Sequence, residues 1–302
     1  MGVKEVHVAF VLAGDAAWRA PRRLWRMGTA RIAILVLSSF ALLGLLAPAV
    51  GRFDPTTIGT GHGATAPGIE HWFGTDSFGR DVWSRFVHGA RISLAIGAAT
   101  AVLAIGIGTV VGTVAGFCGG PVDAVLMRMV DLALSFPRLF LVLLVVGWLR
   151  PSIGLTILVL ALTGWMHTAR LVRAEVRAVR GAAYVRAAEV LGLSFHAILL
   201  RHVLPNALAP VLVSATTMVG QTILAESALS FLGLGVPLPT PSWGAMVEEG
   251  RRAFPQAWWV SAFPGVAITC TVEWGGSRSI TARAPSRARS RRVLAPSRAL
   301  IL

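Results

Sequence analysis

Twenty residues without a charge, IAILVLSSFALLGLLAPAVG, separate Arg31 from Arg52, and a second charge-free run extends from residue 92 to residue 122. These runs constrain the fold more than any other feature of the chain. A helix crossing the hydrocarbon core needs about 20 mostly apolar residues, because every backbone N–H and C=O must find its partner within the segment. Composition agrees with that reading: 55% of residues are hydrophobic, 14% are charged, and the mean hydropathy is +0.68. Soluble domains carry about a quarter charged residues. The chain therefore reads as an all-α integral membrane protein.

The runs place a first span at about 31–51 and a second at 91–117. A third, at 122–149, must enter at a tilt, because Arg138 and Arg150 enclose only eleven residues and the more polar half with Arg128 and Asp131 has to contribute. Residues 151–169 form a fourth span and 206–226 a fifth, which makes five clear transmembrane helices. A sixth begins at 257 and stops at 272, where Glu273, Trp274 and two glycines follow, and it is too short to cross. This divides the chain into an N-terminal segment, 1–30, a transmembrane domain, 31–272, and a tail, 273–302.

Basic residues in short loops are retained in the cytoplasm. Six precede the first span (Lys4, Arg19, Arg22, Arg23, Arg26 and Arg31), and six separate the fourth from the fifth (Arg170, Arg173, Arg177, Arg180, Arg186 and Arg201). Residues 51–91 carry four arginines offset by Asp54, Glu70, Asp76 and Asp81. Four spans lie between the two basic segments, so both fall on one side, and the N-terminus is expected in the cytoplasm of a multi-pass membrane protein.

After Glu273 come seven arginines (Arg278, Arg283, Arg287, Arg289, Arg291, Arg292 and Arg298) and no acid, half of the net charge of +14. No aromatic-basic face accompanies them, so a nucleic-acid partner is not expected. The stretch is low-complexity Arg, Ser, Ala and Pro without a helical apolar period. Its expected origin is a reading frame lost after Val272, with a disordered tail as the alternative.

Lys4 is the only lysine, so the chain has neither a phosphate-binding P-loop nor a Schiff-base lysine. Its seven histidines lack metal spacing, and the one conceivable grouping, His71 with Asp76 or Asp81, reads better as a polar loop. No metal, bound cofactor or catalytic residue is expected. Cys118 and Cys270 read as buried thiols without a disulfide. Gly108, Gly112 and Gly116 recur at four-residue spacing, which lets two helices approach closely in lipid. Asp131 and Glu226 lie at or near membrane depth, where an ionised side chain costs about 2.5–3.5 kcal/mol. Arg128, one turn earlier, is the expected partner of Asp131, and a proton-coupled secondary transporter is the alternative function that the two acids open.

Between the fourth and fifth spans, AAYVRAAEVLGLSFHAILLRHVLPNALAP interrupts the apolar pattern. Tyr184, Val185, Ala188 and Leu191 follow a helical period, Gly192 permits a terminating turn, and Ser194 is placed to cap a second short helix in which Phe195, Ile198, Leu199 and His202 share a face. Pro205 is expected to force Leu204 out of the helical region, with Asn206 capping the fifth span. The result is an elbow with small residues, Ala187 and Ala188, on its exposed face. TDSFGRDVWSRF, residues 75–86, reads as a capped amphipathic helix outside the membrane, with Arg80, Asp81 and Arg85 toward water.

The elbow resembles the cytoplasmic Glu-Ala-Ala loop of the permease subunits of binding-protein-dependent ABC importers. Ala187, Ala188, Gly192, Leu204 and Pro205 match that motif in spacing, while Arg186 stands at its Glu position and His202 at its Ile position. Both departures resemble the dipeptide, oligopeptide and nickel permeases. So do GTDSFGRDVWSRFVHGARISL, residues 74–94, with Gly74, Thr75, Asp76, Gly79, Arg80 and Asp81, and ILAESALSFLGLGVPLPTPSWGAMVEEGR, residues 223–251. The resemblance covers residues 20–272 and implies a type I ABC importer permease fold. It also implies that Tyr184, Arg186, Ala187, Ala188, Gly192, Ser194, His202, Leu204, Pro205 and Asn206 form an ATPase-docking loop. The implied partners are a homologous second permease, two ABC ATPase subunits carrying ATP and magnesium, an extracytoplasmic solute-binding protein and the lipid of a bacterial or archaeal inner membrane. The implied cargo is a peptide or a related solute such as nickel.

Overall fold

Glycine and proline mark the ends of the apolar stretches, and helices fill what lies between. The computed structural model describes residues 28–59 and 63–276, and among these every regular element is helical. In chain order they are α1 (Gly28–Leu45), α2 (Ala47–Val50), α3 (Val82–Cys118), α4 (Gly120–Leu134), α5 (Arg138–Trp148), α6 (Ile153–Arg180), α7 (Ala183–Val190) and α8 (Phe195–Ile198). A π-helical turn, Leu199–Val203, leads into α9 (Leu204–Phe231), and α10 (Trp243–Arg252) and α11 (Trp259–Gly276) complete the set. The two ends of the chain, including the tail from residue 277 onward, lie outside the described residues.

Among the described residues, α3 and α6 are long and apolar enough to cross a membrane, and α4 with α5 would make a third crossing, bent by 76°. The single tilted helix expected over 122–149 is thus two helices. Phe136, which precedes Pro137, is disfavoured in helical conformation, and Pro137 lacks the N–H that would continue the ladder. The sixth apolar segment also differs from expectation: α11 continues past Val272 to Gly276.

The scaffold is the pair α3 and α6, whose contact the glycine stripe makes possible. A β-carbon on Gly108 would lie 2.6 Å from Cβ of Thr168, one on Gly112 2.5 Å from the Ala169 carbonyl oxygen, and one on Gly116 2.8 Å from that of Arg173. Any larger residue would push the helices apart. At 37 residues, α3 is about 55 Å long, more than the roughly 30 Å of a hydrocarbon core, so part of it stands clear of lipid. Asp81 caps it by accepting a 2.8 Å bond from the Ser84 N–H. Cys118, expected to be buried, is exposed at the other end of this helix because the stripe of contact with α6 ends at Gly116 and Phe117.

Apolar packing concentrates at both ends. Around the start of α3, the buried side chains of Val82, Phe86, Trp243, Met246 and Trp259 join α3, α10 and α11. At the far end, Phe117, Val172, Val176 and Val211 pack with the inner face of the elbow.

Candidate functional site: the elbow and the buried charge cluster

The elbow starts where α6 ends, at Gly181. After eight residues α7 stops at Gly192, whose φ of +74° is the left-handed conformation that glycine adopts without strain. There the Leu193 N–H donates to the Ala188 carbonyl at 3.2 Å, closing the helix end. Val185, Ala188, Ile198 and Val203 point inward and are buried with Phe117, Val172, Val176 and Ala207. On the outside, Val190 is 88% exposed, Leu191 75%, Leu200 59% and Phe195 51%.

Several expectations change here. Ala188 belongs to the inner face, where a small side chain lets α7 lie close against the spans, and Ala187 is half-buried; the exposed face is built from larger apolar residues. Ser194 occupies the cap position of α8 without a side-chain cap bond. Pro205 does not bend the chain, since Leu204 is helical at φ −61° and ψ −46°. The wider π turn before it relieves the clash between the proline ring and the preceding carbonyls. Asn206 is not a cap either, because its Nδ2 donates back to the His202 carbonyl at 2.7 Å. Tyr184 is half-buried in the elbow's apolar cluster, and this desolvation raises its phenol above the usual range. Arg186 is exposed.

A stripe of arginines along the last three turns of α6 ties this helix, from which the elbow leaves, to α3 and α4. Arg173, through Nε and Nη2, and Arg177, through Nη2 at 2.6 Å, both donate to the carboxylate of Asp123 in the first turn of α4. Arg180 donates to the Phe117 carbonyl, and its guanidinium lies 4.9 Å from the centre of the Phe117 ring. Asp131 pairs at 2.5 Å with Arg170, on the neighbouring helix, rather than with Arg128 on its own.

Gly74, Thr75, Asp76, Gly79, Arg80 and Asp81 gather at the opposite end. Residues 75–80 form a tight turn, not the start of a helix, and α3 begins only at Val82. Asp76 Oδ1 accepts from the backbone N–H groups of Phe78 and Arg80 at 2.9 and 3.0 Å, and its Oδ2 accepts from Arg80 Nε at 2.6 Å. Arg80 Nη2 also donates to Glu249 at 2.6 Å, and Arg85 Nη2 donates to both Glu249 oxygens at 2.9 Å. His71 Nδ1 meets Asp81 Oδ1 at 2.8 Å. Arg80, Asp81 and Arg85, expected toward water, are buried, because their charges are answered within the chain. Glu249 is the partner that sequence reasoning missed, while His71 beside Asp81 is the polar-loop grouping expected from the sequence. Among the described residues, no group of three His, Cys, Asp or Glu side chains could hold a metal ion.

Glu226 is wholly buried near this end, where its Oε1 accepts from the Ser230 and Ser242 hydroxyls at 2.7 and 3.0 Å. Ser242 caps α10, so Glu226 fixes the start of the helix that carries Glu249. Asp131 and Glu226 are therefore held at opposite ends of the bundle and form no relay with each other.

The geometry is thus a helical membrane bundle with a buried ionic cluster at one end and an apolar elbow at the other. The oligopeptide transport system permease protein OppC of Escherichia coli (strain K12) is 37% identical over 262 residues, covering 86% of this chain and 87% of that protein. OppC of Bacillus subtilis (strain 168) is 37% identical over 243 residues, 80% of each chain. The dipeptide transport system permease protein DppC of Alkalihalophilus pseudofirmus is 36% identical over 256 residues, 84% of each. Residues 108–273, which contain the elbow and the helices that anchor it, match the family model described as binding-protein-dependent transport system inner membrane component. With these matches spanning most of its length, the chain belongs to the family of inner-membrane components of binding-protein-dependent transport systems.

Proposed function

We propose that this chain is one of two homologous permease halves of an ABC importer that carries peptides, or a related solute such as nickel, across the cytoplasmic membrane. ATP and magnesium are held by two separate ATPase subunits, an extracytoplasmic binding protein delivers the solute, and this chain performs no catalysis. The N-terminus and the elbow face the cytoplasm. The single observation that carries the reading is the elbow's division into two faces: the inner one is packed against α3, α6 and α9, and the outer one leaves Val190, Leu191, Phe195 and Leu200 in the open. Apolar patches of this kind mark protein contact sites. A rigid lever seated on an ATPase would pass nucleotide-driven closure to the spans. The names of the relatives support peptides as cargo.

The experiment is uptake of a short peptide into proteoliposomes holding this chain, its partner permease and both ATPases, with the binding protein outside and ATP inside. Uptake should need ATP and should survive a protonophore. Uptake that persists without ATP and collapses with the protonophore would overturn the reading in favour of proton coupling. We further propose that residues 273–302 are an out-of-frame tail, which the family match ending at residue 273 supports. Resequencing the 3′ end of the gene and finding the frame intact would sink that proposal.

A further inference from the structure

Between the elbow and the spans lies a cleft of about 440 Å³, lined by Gly116, Gly119 and Gly181 and by the charged side chains of Arg177, Arg180, Arg186 and Glu189. Its volume is within the range of small-molecule sites, roughly 300–1,000 Å³. Its lining is unlike most of them: three glycines and four charged residues offer no apolar side chain to hold an oily ligand. Polar chemistry must select the occupant.

The charges do not cancel. Arg173 and Arg177 share the one carboxylate of Asp123, and Arg180 is turned to a carbonyl and an aromatic ring, neither of which carries a negative charge. Arg186 and Glu189 have no ion-pair partner among the described residues, and no ion pair joins the two. The three guanidiniums that line the cleft, those of Arg177, Arg180 and Arg186, face the single carboxylate of Glu189, an excess of two positive charges. Gly119 leaves room for a compact group to approach the backbone, since a β-carbon there would meet nothing within 4 Å.

We propose that this cleft binds a phosphate group. Guanidinium forks match tetrahedral phosphate oxygens, and basic pockets between helices at a membrane surface bind lipid phosphates. The source is either the headgroup of an anionic phospholipid or phosphate free in solution, and the recognising chemistry is the same for both. Because the walls come from α3, α6 and α7, the bound group ties the elbow to the two scaffold helices. The elbow itself contributes Arg186 and Glu189 to the cleft, and Arg186 is the one of the two that attracts an anion.

The test uses the full-length chain and Arg186→Glu, an exposed position with no internal partner to lose. In one arm, binding of phosphatidylglycerol and of phosphatidylcholine is measured by native mass spectrometry; in the other, inorganic phosphate is titrated calorimetrically into lipid-free, detergent-solubilised protein. The variant should bind phosphatidylglycerol about tenfold more weakly, the loss of one charge-assisted contact, with phosphatidylcholine unchanged and binding restored in Arg186→Lys. A tenfold loss confined to inorganic phosphate supports the site and assigns it to a soluble phosphate. If Arg186→Glu binds both probes as the wild type does, the proposal fails, and it fails equally if the substitution affects only association with the ATPase, for then the cleft receives an acidic protein side chain.

Discussion

The two ends of the bundle dispose of their side chains in opposite ways. Around Asp76, Arg80, Arg85 and Glu249, the chain buries charges and answers them from within, using residues as far apart in sequence as Arg80 and Glu249. At the elbow, Val190, Leu191 and Leu200 are apolar and exposed, and nothing among the described residues covers them. Breaking a buried ion pair costs stability whatever the chain does for a living, whereas an uncovered leucine on a rigid turn costs the isolated chain little to change. The first region is where the fold is held; the second is where, under the proposed function, the fold is offered to a partner.

The comparison breaks most visibly at Glu249. Glu249→Ala leaves Arg80 and Arg85 buried without their shared carboxylate, and loss of one partner from a buried pair costs about 3–5 kcal/mol. Thermal unfolding of the purified chain should show a large fall in melting temperature, and the variant should accumulate poorly in membranes. An unfolding curve that overlays the wild type would mean that the cluster is not what fastens α10 to the start of α3.

Legibility in the sequence divides along the same line. The charge-free run from residue 92 lies largely within α3, the apolar run from 151 lies largely within α6, and the glycine stripe does mark the face where they meet, since each follows from residues adjacent in sequence or one turn apart. The elbow's helix, its glycine stop at Gly192 and the second helix after it were readable for the same reason. Tertiary choices were not. Asp76 with Arg80, and Asp81 with Arg85, show opposite charges four residues apart, which looks like a solvated helix face; only the arrival of Glu249 from α10 makes burial affordable. Asp131 has Arg128 within reach along its own helix and takes Arg170 instead, because α4 packs beside α6. Which face of α7 turns inward depends on Phe117, Val172 and Val176, residues that no local pattern ties to Ala188. Pro205 was misjudged because a local rule for the preceding residue gave way to a π turn.

The most direct measurement of the central claim is made on the other region, where the expected effect on stability is the smallest. Leu191 is 75% exposed, so Leu191→Asp should change the stability of the chain by no more than about 0.5 kcal/mol, as surface substitutions away from structural features do. Co-expressed with its partner permease and tagged ATPases, the variant should insert normally, unfold at the wild-type temperature and lose most of its co-purification with the ATPase. If Leu191→Asp instead keeps wild-type association with the ATPase and wild-type peptide uptake, the elbow is not the surface through which this chain meets its motor.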